Sequence, residues 1–67
     1  MIAYRLLSGA DDAAFCHKVS EALDRGWRLY GDPQYAFDAA QGGMRCAQAV
    51  TKHVAGSYDA SAKLGEL

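Results

Sequence analysis

Residues 15–30 read FCHKVSEALDRGWRLY, and this run decides the fold. Phe15, Val19, Ala22 and Leu23 fall at i, i+4, i+7 and i+8, the spacing of one apolar helix face. Cys16 sits at the edge of that stripe, and His17, Ser20 and Asp24 lie on the far side with Ala13. Glu21 and Arg25 form an i,i+4 pair in the favourable orientation. Gly26 then supplies the left-handed residue that commonly ends a helix. From Trp27 the period changes to two, so Trp27 and Leu29 share one face of a strand, with Arg28 and Tyr30 on the other.

Working upstream, Ile2–Leu7 has weak alternation, a β-branched residue and no Gly or Pro, which predicts a first strand. Ser8-Gly9-Ala10-Asp11-Asp12 reads as helix entry. Ser8 or Asp11 is the expected cap, and Asp11 and Asp12 complement the positive end of the helix dipole. The helix is expected from Ala10 or Asp11 to Arg25. Downstream, Gly31-Asp32-Pro33 interrupts the second strand, because Pro cannot donate to a ladder, and Tyr35–Phe37 resumes it. Asp38–Gly43 is a loop. Met44 to about Val54 is the third and longest strand, joined to the second as a hairpin. Residues 1–54 then form one small domain. The tail 55–67 reads as flexible, with Asp59 placed to cap a short helix over 60–65.

The order β-α-β-β predicts an α+β fold. A right-handed crossover makes strands one and two parallel, and the hairpin makes strand three antiparallel to strand two. A long strand suits the centre, giving order 1-3-2. This is a split β-α-β unit, half of a ferredoxin-like fold, with one helix on one face. The other order sets strand one beside strand two. With Tyr4, Leu6, Trp27 and Leu29 facing the core, the open face receives Arg5, Leu7, Arg28 and Tyr30. If Met44, Cys46 and Val50 point inward, then Arg45, Ala47, Ala49, Thr51 and His53 point outward, and an inward Gln48 needs hydrogen-bond partners. On this reading Arg5, Leu7, Arg28, Tyr30, Arg45 and Ala47 make a face with an apolar centre and charged edges, the composition of an interface.

The chain has 67 residues, with seven basic and eight acidic side chains and a net charge of −1. That balance argues against general nucleic-acid binding, which needs a basic footprint. No apolar run approaches the roughly 18–20 residues that cross a bilayer, and no signal-like segment is evident, so a cytoplasmic location is expected. There Cys16 and Cys46 are expected as reduced thiols. Adjacent Cys16 and His17, and Cys46 and His53 seven apart, do not match zinc-ligand spacing. The carboxylates are explained by caps and turns, and no nucleophile, base and orienting group come together. Neither a catalytic role nor a cofactor is expected. One core of this size rarely supplies more than about 3–5 kcal/mol, so a second subunit is a natural source of further burial.

Tyr4-Arg5-Leu6-Leu7-Ser8-Gly9, Gly26-Trp27-Arg28-Leu29-Tyr30-Gly31 and Gln48-Ala49-Val50-Thr51-Lys52 together resemble a family of short, mostly bacterial domains of unknown function. The shared pattern is Y-x-x-x-S-G, then G-W-x-L-x-G, then Q-A-x-x-K, over about residues 4–52. The resemblance implies a stand-alone small domain and no particular activity. The expectation is a non-enzymatic module that dimerises or docks a protein through its open sheet face. The alternative is a small-ligand or anion site on the Arg5/Arg45 face.

Overall fold

A Schellman turn joins helix to sheet. Helix α1 (Ala13–Asp24) ends at Arg25, and Gly26 takes φ +95°. The Gly26 amide donates to the Leu23 carbonyl at 3.1 Å and the Trp27 amide to the Ala22 carbonyl at 3.0 Å. That geometry drives Trp27 under the helix, where it is 2% exposed beside Ala22. The computed structural model describes residues 1–67. Strand β1 (Ile2–Ala10) precedes the helix, and β2 (Arg28–Asp38) and β3 (Gly43–His53) follow as a hairpin. The sheet order is β1-β3-β2, with β3 antiparallel to both neighbours, as the sequence predicts.

β1 is longer than expected and the helix begins later. Ser8, Gly9 and Ala10 continue the ladder opposite Ala47, Cys46 and Arg45, because β3 offers backbone partners there. The cap is therefore neither Ser8 nor Asp11. Asp12 accepts from the Phe15 amide at 3.1 Å. The helix packs closely over this end of β1, where a Cβ on Gly9 would lie in van der Waals contact, 3.4 Å from the Phe15 ring.

The facing of β1 is the reverse of the expected one. Leu7 is 4% and Ala3 3% exposed, whereas Tyr4 and Leu6 are more than half exposed. Both parities of Ile2–Leu7 contain apolar residues, so alternation alone does not choose between them. Register does. Arg5 lies opposite Val50, the most buried residue, and directly opposed residues share a face. Small Ala3 against Ala22 then lets helix and sheet approach closely. Leu29 does lie opposite Val50, yet remains 55% exposed, because α1 packs chiefly over β1. Leu23, expected in the apolar stripe, is also exposed.

β2 is one strand with a bulge, not two pieces. Pairing moves from Tyr30↔Ala49 to Gln34↔Ala47, so two extra residues of the Gly31-Asp32-Pro33 segment loop out. Gln48 sits opposite that bulge, pointing inward and 5% exposed. Its amide nitrogen reaches the Tyr30 and Gly31 carbonyls at 3.3 Å each and the Ala49 carbonyl at 2.9 Å. The side chain replaces the ladder bonds that the bulge removes.

The tail returns to the domain. Leu64 and Leu67 pack against the core, a 3-10 turn spans Leu64–Glu66, and the Gly65 carbonyl accepts from Arg25 at 3.2 Å. No regular helix covers 60–65.

Replacing Gln48 by Ala leaves the bulge carbonyls without their donor. The expected loss is about 1–3 kcal/mol. It should appear as a lower urea midpoint with an unchanged slope. A midpoint equal to wild type would show that water serves those carbonyls equally well.

Candidate functional site

The uncovered face of the sheet is a shallow trough. β3 supplies its floor with Ala47, Ala49 and Thr51, flanked across the strands by larger side chains. One row reads Leu6–Ala49–Tyr30, and the next reads Tyr4–Thr51–Arg28. Neighbouring strands lie about 4.8 Å apart, so the two walls stand roughly 10 Å from each other. Ile2, Tyr4, Leu6 and Tyr30 are 61%, 52%, 57% and 64% exposed. Beyond the trough, Arg45 lies between Ala10 and Ala36, and His53 lies opposite Ile2.

Four of the six residues expected on this face are placed there: Arg28, Tyr30, Arg45 and Ala47. Arg5 and Leu7 are not, for the register reason given above. Leu7 is core, and the half-buried Arg5 guanidinium lies 5.3 Å from the Trp27 ring centre on the helix side. Arg5 and Arg45 are therefore on opposite faces, five positions apart along β3, and cannot share one anion. In their place the face gains Ile2, Tyr4 and Leu6. Composition marked these as apolar, but only the pairing with β3 reveals which way they point.

Other side chains have local roles. Tyr35 lies on the helix side and donates its hydroxyl to Asp11 Oδ2 at 2.5 Å, pinning the hairpin to the start of α1. This bond, with lesser desolvation and charge effects, raises the Tyr35 ionisation above its ordinary value. Cys16 and Cys46 are free thiols. Desolvation pushes the Cys46 thiol up, and the Asp11 carboxylate adds to this, the opposite of an activated nucleophile. Asp59 is held below the usual carboxylate range by the hydroxyl and amide of Ser61. No group of three His, Cys, Asp or Glu side chains gathers where a metal ion could be held. No helix is long and apolar enough to cross a membrane.

Two concavities accompany the trough. A polar one of about 320 Å³ is lined by Gly26, Arg28, Thr51, Lys52 and His53. An apolar one of about 280 Å³ lies between α1 and β2, with Phe15, Val19, Leu29 and Pro33 in its walls.

The fold defines a small α+β domain with a single helix and an open sheet face. The chain belongs to the DUF1737 family, a domain of unknown function, whose model matches residues 1–53. No curated protein and no solved structure matches it. The residues that carry the resemblance act in the scaffold. Gly26 makes the left-handed turn, Trp27 fills the core, and Gly31 (φ +71°) and Gln48 build the bulge. Lys52 Nζ donates to the Arg25 carbonyl at 2.7 Å and to the Leu67 carbonyl, capping the end of α1.

Because folding raises the Tyr35 ionisation, its contact with Asp11 contributes stability below the ordinary tyrosine value of 10.0. That contribution is lost as pH rises through the higher folded value. In an ultraviolet phenolate titration, Asp11→Asn should move the latest component to lower pH, and Tyr35→Phe should delete it. Superimposable curves for wild type and Asp11→Asn would rule out the bond as the cause.

Proposed function

We propose that this domain is a non-enzymatic protein-interaction module that self-associates through its open sheet face. The observation that carries this reading is the excess of exposed surface, with Ile2, Tyr4, Leu6 and Tyr30 all exposed on one face. A compact monomer of 7.2 kDa exposes about 4,100 Å². This chain exposes 4836 Å², and only 6 of its 67 residues are buried. The difference is close to the roughly 800 Å² per partner of a standard interface. The shape agrees. The radius of gyration is 13.3 Å, against about 11 Å for a compact chain of this length.

The trough also suits its own copy. Two sheets stack about 10 Å apart when small residues face large ones. Ala49 and Thr51 form the floor between the Tyr4–Leu6 and Arg28–Tyr30 walls, Ala47 extends it, and a two-fold operation brings the wall of one copy over the floor of the other. Arg28, Arg45 and His53 supply a polar rim.

Sedimentation across a wide concentration range is the direct test, with a reversible dimer expected. Leu6→Glu combined with Tyr30→Glu places like charges on the stacked face and should yield a monomer with an unchanged far-ultraviolet circular dichroism spectrum. A wild-type chain that stays monomeric at high concentration would overturn self-association, as would a double variant that still dimerises.

A further inference from the structure

We infer that the polar concavity at the end of the sheet is a binding site for a phosphate group, carried free or on a small hydroxylated ester. It lies where the Schellman turn meets the final residues of β3. Arg28 reaches it from β2, Thr51, Lys52 and His53 come from β3, and Gly26 completes the wall. No carboxylate and no apolar side chain lines it. The protein's one ion pair, Arg25 with Glu21 at 3.4 Å, involves none of these residues. A chain of net charge −1 thus gathers Arg28, Lys52 and His53 around one cavity that no acidic side chain lines.

The donors differ in a way that suits a tetrahedral dianion. Arg28 offers a planar fork, matched to two oxygens of one phosphate. Lys52 is held in place by the Arg25 and Leu67 carbonyls, which occupy two of its three protons and leave one for a ligand. The Thr51 hydroxyl and the His53 ring add uncharged-type donors beside them. The negative end of α1 points toward this region, and the Lys52 ammonium on the Arg25 carbonyl screens it. Arg28 and His53 contribute nothing to that cap, so capping leaves their presence unexplained. At about 320 Å³ the space exceeds a bare phosphate and falls at the small end of ligand pockets. No hydrophobic residue lines the site, so it offers no apolar pocket to anchor a body attached to the phosphate.

Arg28 and His53 also rim the self-association face, so the titration is run on the Leu6→Glu/Tyr30→Glu double variant as well as on the wild-type chain. Inorganic phosphate and glycerol phosphate are titrated into the full chain by heteronuclear NMR, with sodium chloride balancing ionic strength to remove general screening. Saturable shifts are expected at Gly26, Arg28, Thr51 and His53. Arg28→Gln, at an exposed position, should weaken binding about tenfold or more, the value of one charge-assisted contact. His53→Gln should weaken it by less. Tighter binding of glycerol phosphate assigns the site to an ester, and equal binding assigns it to the free ion. Shifts that never saturate with either probe overturn the inference, as do saturable shifts that persist unchanged in both variants.

Discussion

Everything in this domain depends on how α1 ends. Two backbone bonds of the Schellman turn fix the path from Ala22 to Trp27, so the largest apolar side chain enters directly beneath the helix. Lys52 then ties the last helical carbonyls to β3 and to the tail. Helix, central strand and C-terminal residues meet at that point. A core of only five buried apolar residues surrounds it. With so little apolar burial, the definition of the native state leans on this junction and on the Gln48-filled bulge.

The same economy shapes the surface. A helix of 12 residues is about 18 Å long, whereas an 11-residue strand reaches about 37 Å. One helix of that length, packed chiefly over β1, cannot cover three strands. One face of the sheet is bare, and part of β2 is bare on the other, which gives the molecule its 42 × 23 × 19 Å extents. Exposed Leu6 and Tyr30 follow from this mismatch rather than from any local preference. An open apolar face on a marginal core makes association with another surface the reading most consistent with the energetics.

Much of the architecture was legible in the chain. The i, i+4, i+7 spacing from Phe15 to Ala22, the Gly26 stop and the switch to period two at Trp27 are local signals, and each holds in the structure. The order β1-β3-β2 holds, although β3 is not the longest strand, because the bulge lets β2 continue to the same 11 residues. The helix start was less legible, because Ser8-Gly9-Ala10 looks like a cap to local rules and becomes strand only when β3 lies beside it. The candidate face was legible for Arg28, Tyr30, Arg45 and Ala47, whose strands carry an anchor in Trp27 or Val50.

By itself the sequence determined the periodicities, the helix stop and the need of an inward Gln48 for partners. Those are set by bonds and side chains within a few residues of each other. Tertiary structure alone decided which side of β1 faces the helix. Ile2-Ala3-Tyr4-Arg5-Leu6-Leu7 is apolar on both parities, and a one-residue change of register exchanges them completely. The pairing of Arg5 with Val50 put Leu7 in the core and Tyr4 and Leu6 outside, and separated Arg5 from Arg45. The separate pairing of β2 with β3, and the path of the chain through Gly26, brought Arg28, Lys52 and His53 around one cavity.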